Sequence, residues 1–335
     1  MSLHVPAQTT RFALTKAARS VLAALGGSLL IASALAQETV SQAIPGVVAA
    51  GARIELIKDG FKGTEGPVAL PDGTFAFTET QANRITRIAA DGSTSPFLEN
   101  SNGSNGLGFN GKGELISVQV ADTRVGVVYP QGKERTLADN FEGLPFGRPN
   151  DLVVDKRGGV YFTDSGVNVA PGQPVPTKVF AKPAVYYITP DDILKRLAAD
   201  IERPNGIQLS PDEKTLYVAN TQGEHVLAYD VAADGSVGAR RNFVKLAGWS
   251  KADNGTWSSG ADGLAVDEKG RLYVASNVGI EVFAADGAAL GSIALPKKPQ
   301  NLAFAGAGKK TLYVVGRGAA YRIAAQTAGY AGRAK

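Results

Sequence analysis

Residues 150–163 read N-D-L-V-V-D-K-R-G-G-V-Y-F-T, and this stretch holds the pattern that decides the fold. It begins with a side-chain oxygen, continues through mostly apolar residues, turns at 156–159 and ends in a second β-rich run. Two short apolar runs joined by a tight polar turn predict a β-hairpin. Both runs are too short for α-helices, so the stretch indicates β-structure.

The same pattern occurs five more times along the chain. The other segments begin at Glu65, Asn105, Asn205, Asp262 and Asn301. Taken with Asn150, the six starts are 40, 45, 55, 57 and 39 residues apart, and a four-stranded propeller blade takes about 40–50 residues. Runs such as 84–89 and 225–229 supply further strands. We therefore predict an all-β, six-bladed β-propeller with four-stranded blades around a central channel. An irregular β-sandwich with coincidental spacing is the alternative.

The first 36 residues have a different composition and are predicted to be a signal peptide. Arg11, Lys16 and Arg19 precede an apolar run over 21–34, and the sequence Ala-Leu-Ala at 34–36 resembles a cleavage site. The run is shorter than the roughly 20 residues that span a bilayer, although an uncleaved anchor is the alternative. We expect residues 37–335 to form a single propeller domain, periplasmic or secreted, without a membrane partner after cleavage.

Composition limits the chemistry that the mature domain can perform. The chain has no cysteine and two histidines, of which His4 belongs to the leader. Thiolate chemistry and a His-rich zinc site are therefore excluded. Loss of the three basic leader residues lowers the formal net charge from +4 to about +1, so no basic surface for nucleic acid is indicated. Any metal in the domain must be held mainly by oxygen.

The first positions of the six segments are candidate metal ligands. They are Glu65, Asn105, Asn150, Asn205, Asp262 and Asn301. Equivalent starts of innermost strands must form a ring about the propeller axis, which makes the channel a predicted metal-binding site. Carboxylates and amides crowded in such a ring favour one hard divalent cation. Calcium is the expected ion, with zinc, manganese and magnesium as alternatives. Asn-Gly and Asp-Gly pairs are also common turn formers, which is the alternative interpretation.

These motifs resemble the gluconolactonase and senescence marker protein (regucalcin) family of six-bladed propellers over nearly the whole mature chain. The resemblance is carried by E-G-P at 65–67, R-P-N-D-L-V-V-D at 148–155, P-N-G-I-Q-L-S-P-D at 204–212, D-G-L-A-V-D at 262–267 and N-L-A-F at 301–304. It implies a metal held by Glu65, Asn150, Asn205 and Asp262, with Asp262 also acting as general base. It further implies substrate contacts from Arg148, and we expect Asn105 on the same ring to contact substrate.

The function that the resemblance implies is metal-dependent hydrolysis of a sugar lactone. Two segments depart from the family pattern: F-G-R-P-N-D replaces N-S-P-N-D before Asn150, and Ser165-Gly166-Val167 replaces a proline-rich segment. Both are expected to line the pocket, so the sugar is the less specific part of the prediction. A phosphotriesterase of the diisopropyl fluorophosphatase type and a non-enzymatic binding module are the alternatives. Two long segments, 166–185 and 240–261, are interpreted either as covers of the site or as decoration.

Overall fold

The computed structural model describes residues 1, 39–169, 172–174, 176–252 and 255–335. The propeller belongs to one compact unit, Glu38–Lys335. The predicted signal peptide, apart from Met1, lies outside the described residues, so its cleavage stays a prediction. In the described part of the chain, no helix has the length and apolar character that a membrane crossing requires.

Six four-stranded antiparallel sheets confirm the predicted propeller. Blade I consists of β2 (Thr64–Ala69), β3 (Phe75–Glu79), β4 (Arg84–Ile88) and β5 (Thr94–Glu99). Blade II consists of β6 (Ser104–Phe109), β7 (Leu115–Gln119), β8 (Arg124–Tyr129) and β9 (Arg135–Ala138). A small hairpin of β10 (Asn140–Phe141) and β11 (Leu144–Pro145) leads into blade III. Blade III consists of β12 (Pro149–Val154), β13 (Val160–Asp164), β14 (Ala184–Ile188) and β15 (Leu194–Ala198).

The second half of the ring repeats this order. Blade IV consists of β16 (Pro204–Leu209), β17 (Thr215–Asn220), β18 (His225–Asp230) and β19 (Arg241–Lys245). A second hairpin, β20 (Ser250–Lys251) and β21 (Trp257–Ser258), precedes blade V. Blade V consists of β22 (Leu264–Val266), β23 (Leu272–Ser276), β24 (Gly279–Phe283) and β25 (Ala289–Ile293). Blade VI contains β26 (Asn301–Ala305), a 3₁₀ turn (Ala307–Lys309), β27 (Thr311–Gly316) and β28 (Ala319–Ala324).

The first strand of each blade is the innermost one. Strands β2, β6, β12, β16, β22 and β26 contact each other in that order, and β26 contacts β2 to complete the ring. Six hydrophobic clusters fill the spaces between neighbouring blades, one at each interface. Between blades VI and I, for example, the Phe75 ring stacks on Tyr313 with centroids 4.3 Å apart. The core is therefore distributed around the channel rather than gathered at one centre.

The ring is closed by a strand from the beginning of the domain. Strand β1 (Glu55–Lys58) pairs antiparallel with β28 and becomes the fourth strand of blade VI. Glu55 lies opposite Arg322, whose guanidinium donates two hydrogen bonds of 2.8 and 2.6 Å to the Glu55 carboxylate. Blade VI is thus assembled from two stretches of chain that are far apart in sequence.

Residues 329–335 cross the channel at the end where the innermost strands finish. The Tyr330 amide donates to Val266 in blade V, and the Ala334 carbonyl accepts from Ala69 in blade I. Arg333 donates to the Leu209 carbonyl of blade IV. The buried Lys335 ammonium forms an ion pair with Asp151, which is 1% exposed, inside the channel. This segment, here called the channel plug, occupies the far end of the channel.

Candidate functional site

The six predicted ring residues lie at one end of the channel. Glu65, Asn105, Asn150 and Asn205 each occupy the second position of an innermost strand. Asn301 is the first residue of β26, and Asp262 lies two residues before β22. None of the Asn-Gly or Asp-Gly pairs in this ring forms a turn. The interpretation of these residues as turn formers is therefore wrong.

A repeated local distortion presents these side chains to the channel. The pairing register between the first and second strands shifts at this point in each of blades I to IV. Such β-bulges bend a strand and redirect its side chains. The glycines that follow the ring residues permit close packing: a Cβ on Gly206 would overlap the carbonyl of Asp262, and one on Gly106 would lie 2.7 Å from the Asp151 Cα.

Four predicted metal ligands and one predicted substrate contact line a single cavity of about 370 Å³. The volume lies within the usual range for small-molecule sites. The lining residues are Glu65, Arg148, Asn150, Arg203, Asn205, Thr221, Gln222, Ala252, Thr256, Ser258, Gly260, Asp262, Lys298, Gln300 and Arg317. The structure therefore brings together Glu65, Arg148, Asn150, Asn205 and Asp262, as the sequence predicts.

Glu65 is held in place by its neighbours in blade VI. Its carboxylate accepts a hydrogen bond of 3.0 Å from the Gln300 side chain and a longer one of 3.5 Å from Asn301. The side chain is buried, and burial raises its pKa well above the usual range, with the charges of Asp262 and Asp151 adding to the effect. A protonated or cation-bound carboxylate is therefore favoured at this position.

Asp262 has no such support. Among the described residues, no hydrogen bond reaches its carboxylate, although its backbone amide and carbonyl are bonded to Ala275 and Gly206. Burial raises its pKa to about 7, against the opposing charges of Lys298, Arg317 and Arg148. An unbonded carboxylate that faces a cavity is available to bind a cation or to accept a proton.

The asparagines of the ring differ in their surroundings. Asn205 donates 3.0 Å to the Thr221 hydroxyl, while its side-chain oxygen is buried without any donor in the described part of the chain. Asn105 has no exposed surface and does not line the cavity; its amide donates 2.9 Å to the Asn150 carbonyl, and its side-chain oxygen, like that of Asn205, is buried without a donor among the described residues. Asn105 thus contacts the backbone of a predicted ligand, and its contact with substrate stays a prediction.

The available oxygen atoms fit a hard divalent cation. Within the described residues, no group of three or more His, Cys, Asp or Glu side chains could hold a metal. The cavity instead presents two carboxylates together with the amides of Asn150 and Asn205. A buried amide oxygen without a donor is costly unless something else binds it, and calcium accepts this combination of ligands.

Three cationic residues of the cavity were not predicted from the sequence. Arg203, Lys298 and Arg317 line the cavity together with Arg148. Arg203 could have been found, because Arg-Pro-Asn occurs at both 148–150 and 203–205. Lys298 and Arg317 lie in connecting segments of blades V and VI, where no repeated motif marks them.

Both long segments reach the mouth of the cavity. Asn168 accepts a hydrogen bond of 3.2 Å from the Arg203 guanidinium. In the β20–β21 hairpin, Ala252, Thr256 and Ser258 line the cavity. Trp257 is 50% exposed and stacks on Trp249 with centroids 5.4 Å apart. Both segments therefore shape the entrance of the site.

Comparison with known proteins gives a consistent result. Residues 63–317 match the family model described as the SMP-30/gluconolactonase/LRE-like region. A gluconolactonase of Zymomonas mobilis is 30% identical over 297 residues, which cover 82% of each chain.

Solved structures support the same fold. A gluconolactonase from Xanthomonas campestris has a TM-score of 0.74 and 26% identity, and the match covers 86% of this chain and 94% of that one. The calcium-binding protein regucalcin from Agrobacterium tumefaciens has a TM-score of 0.66 and 18% identity, with coverage of 82% and 94%. At that identity the regucalcin match supports the fold alone.

Proposed function

Since this chain belongs to the SMP-30/gluconolactonase/LRE-like family, we propose that it is a hydrolase that opens the ring of a lactone. The observation that carries the proposal is the convergence of Glu65, Asn150, Asn205 and Asp262 in one cavity at the end of the propeller channel. The name of the Zymomonas relative supports a lactone as substrate. From the leader sequence, we further propose that the protein acts in the periplasm or outside the cell.

The four residues would hold one divalent cation through two carboxylates and two amide oxygens. The buried side-chain oxygen of Asn205, which lacks a donor, supports this assignment. Calcium fits the all-oxygen set, with zinc, manganese and magnesium as alternatives. When bound, such a cation polarises the lactone carbonyl and stabilises negative charge on its oxygen.

Asp262 would act as the general base. Its carboxylate removes a proton from the attacking water as the water oxygen bonds to the carbonyl carbon. The bond between that carbon and the ring oxygen then breaks, and the proton passes from Asp262 to the departing ring oxygen. The product is an open-chain hydroxy acid, and Asp262 returns to its initial state.

The other residues would position the reacting groups. Gln300 and Asn301 orient the Glu65 carboxylate, and Thr221 orients the Asn205 amide so that its oxygen points away from the hydroxyl. Arg148, half-buried at the mouth, would bind polar groups of the substrate, and Asn105 would hold the backbone of Asn150. Orientation of this kind contributes to rate by reducing the motion that precedes reaction.

The test is turnover of glucono-δ-lactone by protein that has been stripped of metal and reloaded with Ca²⁺, Mn²⁺, Mg²⁺ or Zn²⁺. Proton release is followed with a pH indicator, and spontaneous hydrolysis is subtracted. We expect activity that depends on metal, and a loss of roughly 100-fold or more in kcat for Asp262→Asn. Asp286→Asn, in an exposed turn of the same blade, is the matched control and should keep full activity.

Two outcomes would contradict the proposal. Full activity of Asp262→Asn would remove Asp262 as the base. Absence of turnover with every metal would contradict lactone hydrolysis, and a parallel assay with a fluorophosphate would then show whether the cavity serves a phosphotriesterase. Metal binding by calorimetry without turnover of either substrate would indicate a binding module.

A further inference from the structure

Lactone hydrolysis does not account for the charge around the cavity. Arg148, Arg203, Lys298 and Arg317 all line it, facing the carboxylates of Glu65 and Asp262. Resting on the proposed function, we propose that the natural substrate is a lactone with an anionic substituent, a carboxylate or a phosphate, which these cations bind. Gluconolactone itself has no such group.

The two arginines are placed by one repeated motif. Arg148 and Arg203 each lie two residues before a predicted ligand asparagine and immediately before the first residue of the neighbouring innermost strands β12 and β16. Both strands have the same register shift after the proline, so the two arginines occupy equivalent positions at the entry to adjacent strands. The structure therefore places both arginine side chains in the lining of one cavity.

Among the described residues, none of the four cations forms an ion pair with an acidic side chain outside the site. In the described part of the chain, other arginines are paired with carboxylates, such as Arg135 with Glu114 and Arg322 with Glu55. No comparable ion pair between residues that the structure describes involves the four cavity cations. Arg203 and Lys298 instead donate to the amide oxygens of Asn168 and Asn277, while the Arg148 Nε is buried without an acceptor. Amide oxygens orient a cation without neutralising its charge.

The site carboxylates do not neutralise the cations when a metal is bound. A divalent cation offsets the two negative charges of Glu65 and Asp262, which leaves the four positive charges of the cavity. Desolvated charges of one sign are unfavourable unless an opposite charge is brought among them. An anionic group on the substrate supplies that charge, and arginine binds carboxylates and phosphates through two parallel hydrogen bonds.

The experiment compares three lactones in the metal-loaded protein: glucono-δ-lactone, glucaro-1,4-lactone and 6-phosphogluconolactone. We expect kcat/KM to be about tenfold or more higher for an anionic lactone than for the neutral one, a difference that decreases at high salt. The lactone that is preferred shows whether the group is a carboxylate or a phosphate. Calorimetry with glucarate and with the neutral polyol glucitol gives a binding readout that does not depend on turnover.

Two variants test the cations directly. Arg203→Gln and Lys298→Met should each lower kcat/KM for the anionic lactone about tenfold more than for glucono-δ-lactone, mainly through KM. Lys297→Met is the matched control, because Lys297 is adjacent in sequence but pairs with Asp59 away from the cavity. This variant should leave kcat/KM unchanged for both the anionic lactone and glucono-δ-lactone.

The outcomes separate this inference from the proposed function. If glucono-δ-lactone is turned over as fast as both anionic lactones, or if the variants affect all lactones equally, the anionic substrate is wrong while lactone hydrolysis stands. If no lactone is turned over with any metal, the proposed function fails. In that case tighter binding of glucarate than of glucitol, lost in Arg203→Gln, would still support an anion site.

Discussion

At the scale of single residues, the glycines beside the ring residues set how closely the innermost strands approach. Gly206 donates its amide to the Asp262 carbonyl at 3.1 Å and leaves no space for a Cβ. Gly263 is similarly constrained by the side chain of Asn301. These glycines are required by the neighbouring strand, and only Gly66 in this set has a positive φ, of 45°.

Gly206→Ala tests this packing. The added methyl group must push β16 away from Asp262, and we expect a loss of about 1–3 kcal/mol in the free energy of unfolding. Gly111→Ala is the control, since Gly111 is exposed in a turn with nothing within 4 Å of its Cβ position. Urea unfolding would measure both midpoints; equal midpoints would show that the innermost strands can separate without cost.

The residue scale is also where the sequence was most and least informative about the site. Six aligned first positions predicted the ring, because a blade repeat places equivalent residues at equivalent heights in the channel. The position of Asn105 away from the cavity could not be predicted, since the repeat does not say which ring members point inward. Arg203 was overlooked although its motif repeats, and Arg317 lies in a turn between β27 and β28 that no pattern identifies.

At the scale of elements, a partly exposed ion pair links the outermost strand of blade II to an inner one. Glu114, immediately before β7, receives two hydrogen bonds of 2.8 and 2.9 Å from Arg135 at the start of β9. The Arg135 hydrogen bonds, together with one from Asn110, lower the pKa of Glu114 from 4.5 to about 2. This carboxylate is thus more stable ionised in the folded blade than in the unfolded chain.

The resulting pH dependence has a definite sign. Because the pKa is lowered on folding, the contribution of Glu114 is complete above pH 4.5 and is lost as the pH falls towards 2. We expect Glu114→Gln to cost about 1 kcal/mol at pH 6 and progressively less below pH 4.5. The measurement is denaturant unfolding of both proteins at several pH values. Glu134→Gln, exposed in the turn before β9, should have the same free energy of unfolding as the wild type at each pH. A difference between Glu114→Gln and the wild type that does not vary with pH would contradict the assignment of this pH dependence to Glu114.

Strand positions were largely predictable from alternating and continuous apolar runs. The predicted strands at 84–89 and 225–229 correspond to β4 and β18, each within one residue at its end. The hairpin β20–β21 was not predicted as strand, because its two-residue strands are polar or exposed and carry no periodic signal. The hairpin is defined only by the pairing of Ser250 with Ser258 and of Lys251 with Trp257.

At the scale of the whole molecule, the number of blades followed from the repeat but the closure of the ring did not. Strand β1 has four residues, three of them exposed, and pairs with a strand near the other end of the chain. No local pattern predicts such a long-range pairing. The pairing joins the last blade to the first, because the chain continues from β1 in blade VI to β2, the innermost strand of blade I.

A cross-link across this closure should stabilise the entire propeller. The chain has no cysteine, so Glu55→Cys combined with Arg322→Cys would form one unambiguous disulfide between register partners. We expect the oxidised form to exceed the reduced form in unfolding free energy by roughly 5 kcal/mol, because the closed loop is very long. Thermal unfolding with and without reductant is the measurement.

A second cross-link provides the comparison. Thr311→Cys with Ala324→Cys joins partners within blade VI and closes a short loop, for which roughly 3 kcal/mol is expected. Equal gains from the two cross-links would show that ring closure is not a weak point of the fold.

In the part of the chain that the structure describes, the channel plug closes the end of the channel opposite the cavity. Residues 329–335 fill the far end of the channel, so a reactant enters and a product departs by the same mouth. Ring opening of any lactone creates a new carboxylate, which must then leave past the cations at that mouth. The product acid and the incoming substrate would therefore share one route past these cations, and accumulated product would compete directly with substrate for the cavity.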